Sequence, residues 1–184
     1  MELIKELKQS KIIKGVFVAL LGTILLAISS KIKIPFYPVP MTMQTLVVLL
    51  LGIILGWRLG LATIALYLFE GIIGLPVFSG SPEKGAGLVY FTGPTMGYLI
   101  GFLFSVYFAG KIQFNGNFLK KFLQLIFCVS FIYIFGVLWL GILIGWKEPI
   151  FQLGLNPFLF AELFKILIIL FSLSKIKKLK EFIK

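Results

Sequence analysis

Histidine and aspartate are both absent from this 184-residue sequence, and cysteine occurs once, as Cys128. The chain therefore has no imidazole base, no pair of aspartates, and no His or Cys cluster that could hold a metal ion. A Gly-x-x-x-x-Gly-Lys-Ser/Thr phosphate loop is also missing, so the chain cannot hydrolyse ATP by that route. A single cysteine excludes a disulfide framework, and its apolar surroundings indicate a packing residue. These absences argue against an enzyme and against a resident cofactor or metal.

Charge is also scarce. Charged residues make up 14% of the chain and hydrophobic residues 59%, and the mean hydropathy is +1.05. A water-soluble chain of this length needs more polar surface. Because a helix needs about 20 mostly apolar residues to cross a bilayer, the apolar runs predict an all-α integral membrane protein, with one domain (1–184) and six transmembrane helices. The predicted spans are about 13–30, 43–57, 59–75, 93–110, 118–145 and 157–174.

The few charges are distributed unevenly along the chain. Of the 18 lysine and arginine residues, thirteen fall on the side of the membrane that carries both termini, and four fall on the other side. This bias predicts a multi-pass protein of the cell membrane with both termini in the cytoplasm. The formal net charge of +11 then reflects membrane topology, because the lysines flank the spans. It does not indicate nucleic-acid binding.

Small residues recur every four positions along two of the predicted spans. The two strips are Gly15, Ala19, Thr23 and Ala27 in the first span, and Gly93, Gly97, Gly101, Ser105 and Ala109 in the fourth. Such a strip lets another helix backbone approach closely in lipid. For the fourth span we predict packing inside the bundle. For the first span two interpretations remain open, namely internal packing and a docking face for a different membrane subunit.

An opposite-charge pair lies inside the last span, in the segment NPFLFAELFKILIIL (156–170). A charge near the bilayer centre costs at least about 2.5–3.5 kcal/mol. Glu162 and Lys165 are three residues apart, so they share one helix face. The pair is either a salt bridge that joins helices or a site that holds a polar ligand. We favour the ligand site, because an isolated buried pair often fails to recover its desolvation cost.

Three loops are predicted on the outer side of the membrane, at 30–44, 74–94 and 146–157. Prolines hold the first loop in an extended conformation, because each ring fixes φ and restricts the preceding residue. The second loop is rich in glycine and carries the aromatic residues Phe78 and Tyr90. Long loops with aromatic residues on a rigid scaffold commonly cover binding sites. The alternative is that all three are plain connectors.

Four motifs, taken together, resemble the BioY family. They are VPMTMQTL (39–46), YLFEGIIGLPVF (67–78), GPTMGYLIGF (93–102) and FLFAELFK (158–165), in matching order and spacing. This family comprises the biotin-binding S components of energy-coupling-factor (ECF) transporters. The resemblance implies an S-component-type bundle that captures biotin on its outer side. It also implies delivery of biotin through an ATP-driven complex with a transmembrane coupling protein and two ATPase subunits.

The resemblance further implies roles for individual residues. The family's last helix carries an acidic residue three positions before a lysine, and both hold biotin. Glu162 and Lys165 match these positions, with glutamate where aspartate is expected. The family's first helix uses small residues to contact the coupling protein, which matches the strip of the first span. Further candidate ligand contacts are Phe78, Ser79, Lys84, Tyr90, Gln44 and Asn156, and Asn156 could also cap the last helix.

Three other functions remain alternatives. An S component for a different vitamin would share the fold but not the pocket. A small membrane-embedded enzyme could use Glu162 and Lys165 as acid and base, although the lack of His and Asp disfavours it. A purely structural membrane subunit is the third. Whether biotin co-purifies with the solubilised protein distinguishes these possibilities from biotin capture.

Overall fold

Helices account for most of the described structure. The computed structural model describes residues 2–83, 85–113 and 115–183, with side chains from residue 12 to residue 181 in these ranges. The helices are α1 (Glu2–Lys31), α2 (Gln44–Ile72), α3 (Met96–Lys111), α4 (Phe118–Ile144), α5 (Ile150–Gly154) and α6 (Leu159–Ile183). Two 3₁₀ turns, Gly87–Thr92 and Asn156–Phe158, lie between them, and β1 (Lys33–Ile34) pairs antiparallel with β2 (Met41–Thr42). The predicted all-α fold is confirmed.

The long helix α2 is a hairpin, because its backbone reverses at Gly56. This residue has φ 78° and ψ 171°, a conformation that glycine adopts without a steric penalty. The arms 44–55 and 57–72 lie side by side, since the Gln44 amide nitrogen Nε2 lies 2.8 Å from the Tyr67 hydroxyl. In a straight helix these two residues would be about 35 Å apart. The two arms coincide in position with the short spans predicted at 43–57 and 59–75.

In the described part of the chain, four helices are long and apolar enough to cross a membrane, and counting the α2 hairpin as two arms and adding the shorter α3 gives six apolar helical segments. By length and composition the candidate spans are Ile12–Lys31, Gln44–Ile72, Phe118–Ile144 and Ile150–Glu181, with the shorter apolar helix Met96–Lys111. The bundle accordingly has two ends. The loop end is formed by the connections 32–43, 73–95 and 145–158. The termini end is formed by the Gly56 bend, the connection between α3 and α4, the start of α1 and the end of α6.

The small residues of α3 allow it to pack closely against α4. A methyl group added at Gly97 would lie 2.3 Å from the main-chain oxygen of Phe135, and one at Gly101 would lie 2.5 Å from the Cα atom of Ile132. Ser105, on the same strip, is fully buried. Contacts this short leave no room for a larger side chain. The prediction that this strip packs inside the bundle is confirmed.

The strip of α1 also faces inward, which corrects its interpretation as a docking face. Ala19 and Thr23 are buried, and the Thr23 hydroxyl lies 2.9 Å from Glu70 Oε1 on the second arm of α2. Gly15 and Ala27 are half-buried. Because α2 covers the strip, a partner could not reach Ala19 and Thr23 unless α1 moved. Internal packing, the interpretation left open by the sequence, is the one that agrees with the structure.

Candidate ligand-binding site

The charged pair of α6 lies at the loop end, where the start of α6 meets the start of α2. Glu162 Oε1 is 2.7 Å from Lys165 Nζ, and the two residues are only 4% and 3% exposed. The Thr45 hydroxyl donates a hydrogen bond to the same carboxylate oxygen at 2.7 Å. One hydrogen bond and one ion pair thus hold one oxygen of Glu162 in a fixed position.

Lys165 uses all of its hydrogen-bond donors within the protein. Its ammonium group lies 2.7 Å from Glu162 Oε1, 2.8 Å from Thr45 Oγ1 and 2.6 Å from the main-chain oxygen of Thr42. An ammonium group has three N–H donors, so none is left for a ligand. Lys165 is also not among the residues that line the adjacent cavity. It ties α6 to the start of α2 and positions Glu162. Direct contact with a ligand would require one of these bonds to break.

A narrow cavity lies beside Glu162, between α2, α3, α4, the start of α6 with its preceding 3₁₀ turn, and the loops before and after α2. Its volume is about 50 Å³, which is room for only a few water molecules. Most of its wall is apolar or aromatic, including Phe102, Ile132, Tyr133 and Phe158. Apolar cavities with a small number of placed polar groups are the usual form of small-molecule sites.

Two buried polar atoms on this wall lack a hydrogen-bond partner among the described residues. They are Glu162 Oε2 and the hydroxyl oxygen of Ser79. Buried polar groups in proteins are nearly always paired, so each unpaired one needs an explanation. A carboxylate oxygen can only accept a hydrogen bond, whereas a hydroxyl can both donate and accept. The cavity therefore offers one charged acceptor and one neutral hydroxyl to a ligand.

Aromatic side chains from the loop form the roof of the cavity. Phe78 is 1% exposed, and its ring lies 5.2 Å from that of Tyr67 and 4.7 Å from that of Tyr90, measured between centroids. The Tyr90 hydroxyl donates to the main-chain oxygen of Ser79 at 2.8 Å, and burial raises the pKa of Tyr90, so it keeps this proton. Gly71 provides the space for the Phe78 ring, since a methyl group there would lie 2.0 Å from it.

The loop is anchored to the end of α1. The ammonium group of Lys31 donates to the main-chain oxygens of Phe78 and Ser81, both at 3.0 Å. The Ser30 hydroxyl donates to the main-chain oxygen of Val77 at 2.8 Å. These bonds fix the loop to the end of α1 above the cavity.

The structure brings together most of the predicted ligand residues. Gln44, Phe78, Ser79 and Tyr90 all line the cavity with Glu162. Lys84 lies outside the described residues. Asn156 is a correction, because it is exposed and absent from the cavity wall, and no side chain caps the 3₁₀ turn that it begins. That turn instead buries Phe158, which lines the cavity.

Two residues that hold the charged pair, Thr45 and Thr42, were not among the predicted site residues. Thr45 follows Gln44 directly in VPMTMQTL, one of the four motifs that resemble the BioY family. Its position in that motif could have identified it. Thr42 contributes its main-chain oxygen to Lys165. Any residue type can supply a main-chain oxygen, so no sequence pattern marks it.

Comparison with known proteins agrees with these observations. The sequence model of the BioY family matches residues 4–182. A probable biotin transporter BioY of Pyrococcus horikoshii is 32% identical over 152 residues, covering 83% of this chain and 89% of the relative. The biotin transporter BioY2 of Lactococcus lactis subsp. cremoris is 35% identical over 164 residues, covering 86% of this chain and 88% of the relative.

A solved structure shares the fold. The crystal structure of the S component for biotin from an ECF-type ABC transporter superposes with a TM-score of 0.74 at 24% sequence identity, covering 92% of this chain and 93% of that one. This similarity confirms the S-component-type bundle. The relatives are transporters rather than enzymes, so catalysis by Glu162 and Lys165 is not retained as a hypothesis. The family match, which spans almost the whole sequence, shows that this chain is a member of the BioY family.

Proposed function

We propose that this chain captures biotin from the outer side of the cell membrane and delivers it through an ATP-driven ECF complex. The observation that carries the proposal is Glu162 Oε2, which lies in the wall of a mostly apolar cavity without a hydrogen-bond partner among the described residues. Family membership supports it, because the relatives are named biotin transporters and the structural neighbour is an S component for biotin.

The chemistry of the cavity wall matches the parts of biotin. Biotin has a ureido ring with two N–H donors and a carbonyl, an apolar sulfur ring and a carboxylate tail. Glu162 Oε2 can accept from a ureido N–H, and such a charge-assisted hydrogen bond is stronger than a neutral one. The Ser79 hydroxyl can donate to the ureido carbonyl, and Phe78 and Phe158 offer apolar surface to the sulfur ring.

The carboxylate tail should point away from Glu162. Two carboxylates at close range in a low-dielectric site repel each other strongly. Lys165 offers the tail no free hydrogen-bond donor, because its three donors already serve protein acceptors. We therefore orient the ureido ring toward α6 and the tail toward the outer loops. In this orientation Lys165 acts on the ligand through Glu162.

Binding requires the roof to open. A cavity of about 50 Å³ does not admit a bicyclic ligand. The loop from Leu75 to Phe91 carries Phe78 and Tyr90, and its movement would widen the cavity from the outer side. Biotin then favours the closed arrangement, because only that state completes its contacts.

The energy for delivery has to come from other subunits. The sequence contains no phosphate loop, and an S component of an ECF-type ABC transporter works with an energy-coupling module. We propose a transmembrane coupling protein and two ATPase subunits as partners. With both termini in the cytoplasm, the ATPases would lie at the termini end of the bundle.

The proposal is tested with the purified full-length protein in detergent. Equilibrium dialysis measures the binding of labelled biotin and of biotin methyl ester, which lacks the tail charge. Glu162→Gln should lower the affinity for both ligands by tenfold or more, since a hydrogen bond to a charged group contributes about 1.5–3 kcal/mol. Glu148→Gln, an exposed carboxylate in an outer loop, is the matched control.

Two results would contradict the proposal. Unchanged biotin binding by Glu162→Gln would remove the assigned site. Tighter binding of another vitamin than of biotin would make the chain an S component of different specificity, which shares the fold but differs in its pocket.

A further inference from the structure

A second cleft opens at the termini end, far from the biotin cavity. It lies between the end of α3, the connection to α4 and the first turns of α4, and it has a volume of about 830 Å³. Its wall extends along α4 as far as Cys128, ten residues beyond the start of that helix, or about 15 Å. The cleft shares no lining residue with the biotin cavity.

The outer part of the cleft is basic. Lys111 and Lys120 line it, and no acidic residue does so in the described part of the chain. Both lysines are exposed, and neither forms a salt bridge with a described residue. The side chain of Lys120 folds over Gly116, with its Cδ atom 3.0 Å from where a methyl group on that glycine would lie. The cleft therefore has a positive charge at its mouth with no described residue to balance it.

Aromatic residues place this mouth at the level of lipid head groups. The Lys111 ammonium lies 4.2 Å from the ring centroid of Tyr107 and 5.6 Å from that of Trp57. Arg58 lies over the same Trp57 ring at 5.1 Å. Tryptophan and tyrosine concentrate at the boundary between membrane and water, where an apolar ring and a polar edge are both accommodated. We therefore expect Lys111, at the mouth of the cleft, to lie at the level of the lipid phosphate groups.

Farther along α4, toward the middle of the bundle, the wall of the cleft is mostly apolar, and its Leu123 and Phe127 side chains are more than half exposed. Phe108, Leu123 and Phe127 form its wall below the lysines. Gln124 is the polar exception, and its side-chain oxygen is buried without a partner among the described residues. The cleft therefore changes from charged to apolar along the direction in which a lipid molecule changes from head group to acyl chain.

We propose that this cleft is a binding site for an anionic phospholipid. The phosphate lies between Lys111 and Lys120, and an acyl chain lies along Phe108, Leu123 and Phe127. A free phosphate ion would satisfy the lysines but leave the apolar wall uncovered. A zwitterionic lipid would bring its own positive charge close to the lysines. Basic pockets between membrane helices are a known form of anionic lipid site.

Lipid titration of the full-length protein in detergent tests the proposal. Native mass spectrometry and thermal unfolding compare phosphatidylglycerol with phosphatidylcholine at equal mole fractions, and with inorganic phosphate. Phosphatidylglycerol should bind more tightly and raise the unfolding temperature more than either. The double variant Lys111→Gln/Lys120→Gln should bind phosphatidylglycerol roughly 10- to 30-fold more weakly, because each lysine near a head group contributes about a factor of five to the affinity.

A matched double variant controls for the loss of two charges. Lys33→Gln/Lys147→Gln changes two exposed lysines at the loop end and should keep the preference for phosphatidylglycerol. Equal responses to the two lipids, or an unchanged preference in Lys111→Gln/Lys120→Gln, would overturn the proposal. So would an equal response to inorganic phosphate, which would indicate a free-anion site. If Lys111→Gln/Lys120→Gln lost assembly with a coupling subunit but kept its lipid binding, the cleft would be a protein contact and the lipid proposal would be overturned.

Discussion

The ammonium group of Lys31 lies 3.0 Å from the main-chain oxygen of Phe78, so the last residue of α1 holds the residue that roofs the cavity. A second bond from the same ammonium group, to the main-chain oxygen of Ser81, fixes the loop at two points. Phe78 and Ser81 are both buried in this closed arrangement. The roof can open only if these bonds to Lys31 are released or if the end of α1 moves with the loop.

The first prediction concerns this roof. A cysteine placed at Ser79 or Ser81 should react slowly with an impermeant thiol reagent added outside, and biotin should slow the reaction further. Lys31→Gln should speed the reaction by about fivefold or more, since a hydrogen bond from a charged group contributes at least about 1 kcal/mol. Lys33→Gln, an exposed neighbour, should have no effect. Native Cys128 is fully buried and should stay unlabelled.

Equal labelling rates with and without biotin would argue against a lid, but the assignment of the binding site would still stand. Equal rates in the Lys31→Gln and Lys33→Gln variants would show that the bonds from Lys31 do not hold the loop.

The second prediction separates the roles of the two charged residues. Lys165→Met leaves Glu162 buried without its partner, which should destabilise the protein by about 3–5 kcal/mol and abolish biotin binding. Adding Glu162→Gln to Lys165→Met removes the stranded charge, so thermal stability should recover. Biotin binding should not recover, because the charged acceptor is gone. Thermal unfolding and equilibrium dialysis on both variants measure the two effects.

If Lys165→Met alone kept biotin binding within about twofold, Lys165 would have no positioning role. If the double variant regained binding, Glu162 would not be the ligand acceptor.

The fold could be predicted because its signals are local in the sequence. Apolar length identified the spans, whereas the location of the reversal at Gly56 depends on a backbone angle. The pair Glu162 and Lys165 could be identified because charge inside a span is costly wherever its partners lie. These features require no knowledge of which helices are neighbours.

The features that could not be predicted depend on tertiary contacts. A strip of small residues suits internal packing and external docking equally well, and the choice for α1 was decided by the position of α2 against Thr23. Lys165 is held by the main-chain oxygen of Thr42, which lies 123 residues away along the chain. No sequence pattern marks a main-chain acceptor, so the sequence does not show that this lysine is already bonded. Asn156 lies near the site in sequence but is turned outward by the 3₁₀ turn that buries Phe158.

The third prediction uses the close contact between Gly71 and Phe78. In Gly71→Ala the new methyl group would lie 2.0 Å from the Phe78 ring, so the ring has to leave its place in the roof. Overpacking of this kind costs about 1–3 kcal/mol, and biotin affinity should fall by roughly 5- to 100-fold. Gly15→Ala is the control, because its methyl group would meet its nearest neighbour at 3.9 Å. Biotin affinity equal to that of the control would mean that the position of Phe78 does not matter for binding.

The last prediction tests which face of α1 meets a partner. Ala19 is buried against the rest of the chain, whereas Ile24 is 53% exposed. Ala19→Leu should overpack the contact between α1 and α2, lowering the unfolding temperature of the isolated protein by roughly 2–10 °C. Ile24→Ala should leave that temperature unchanged, because it removes only exposed surface. Assembly with the coupling protein is then measured by co-purification for both variants. Loss of assembly in Ala19→Leu, with normal stability and normal biotin binding, would contradict internal packing and restore the strip as the docking face.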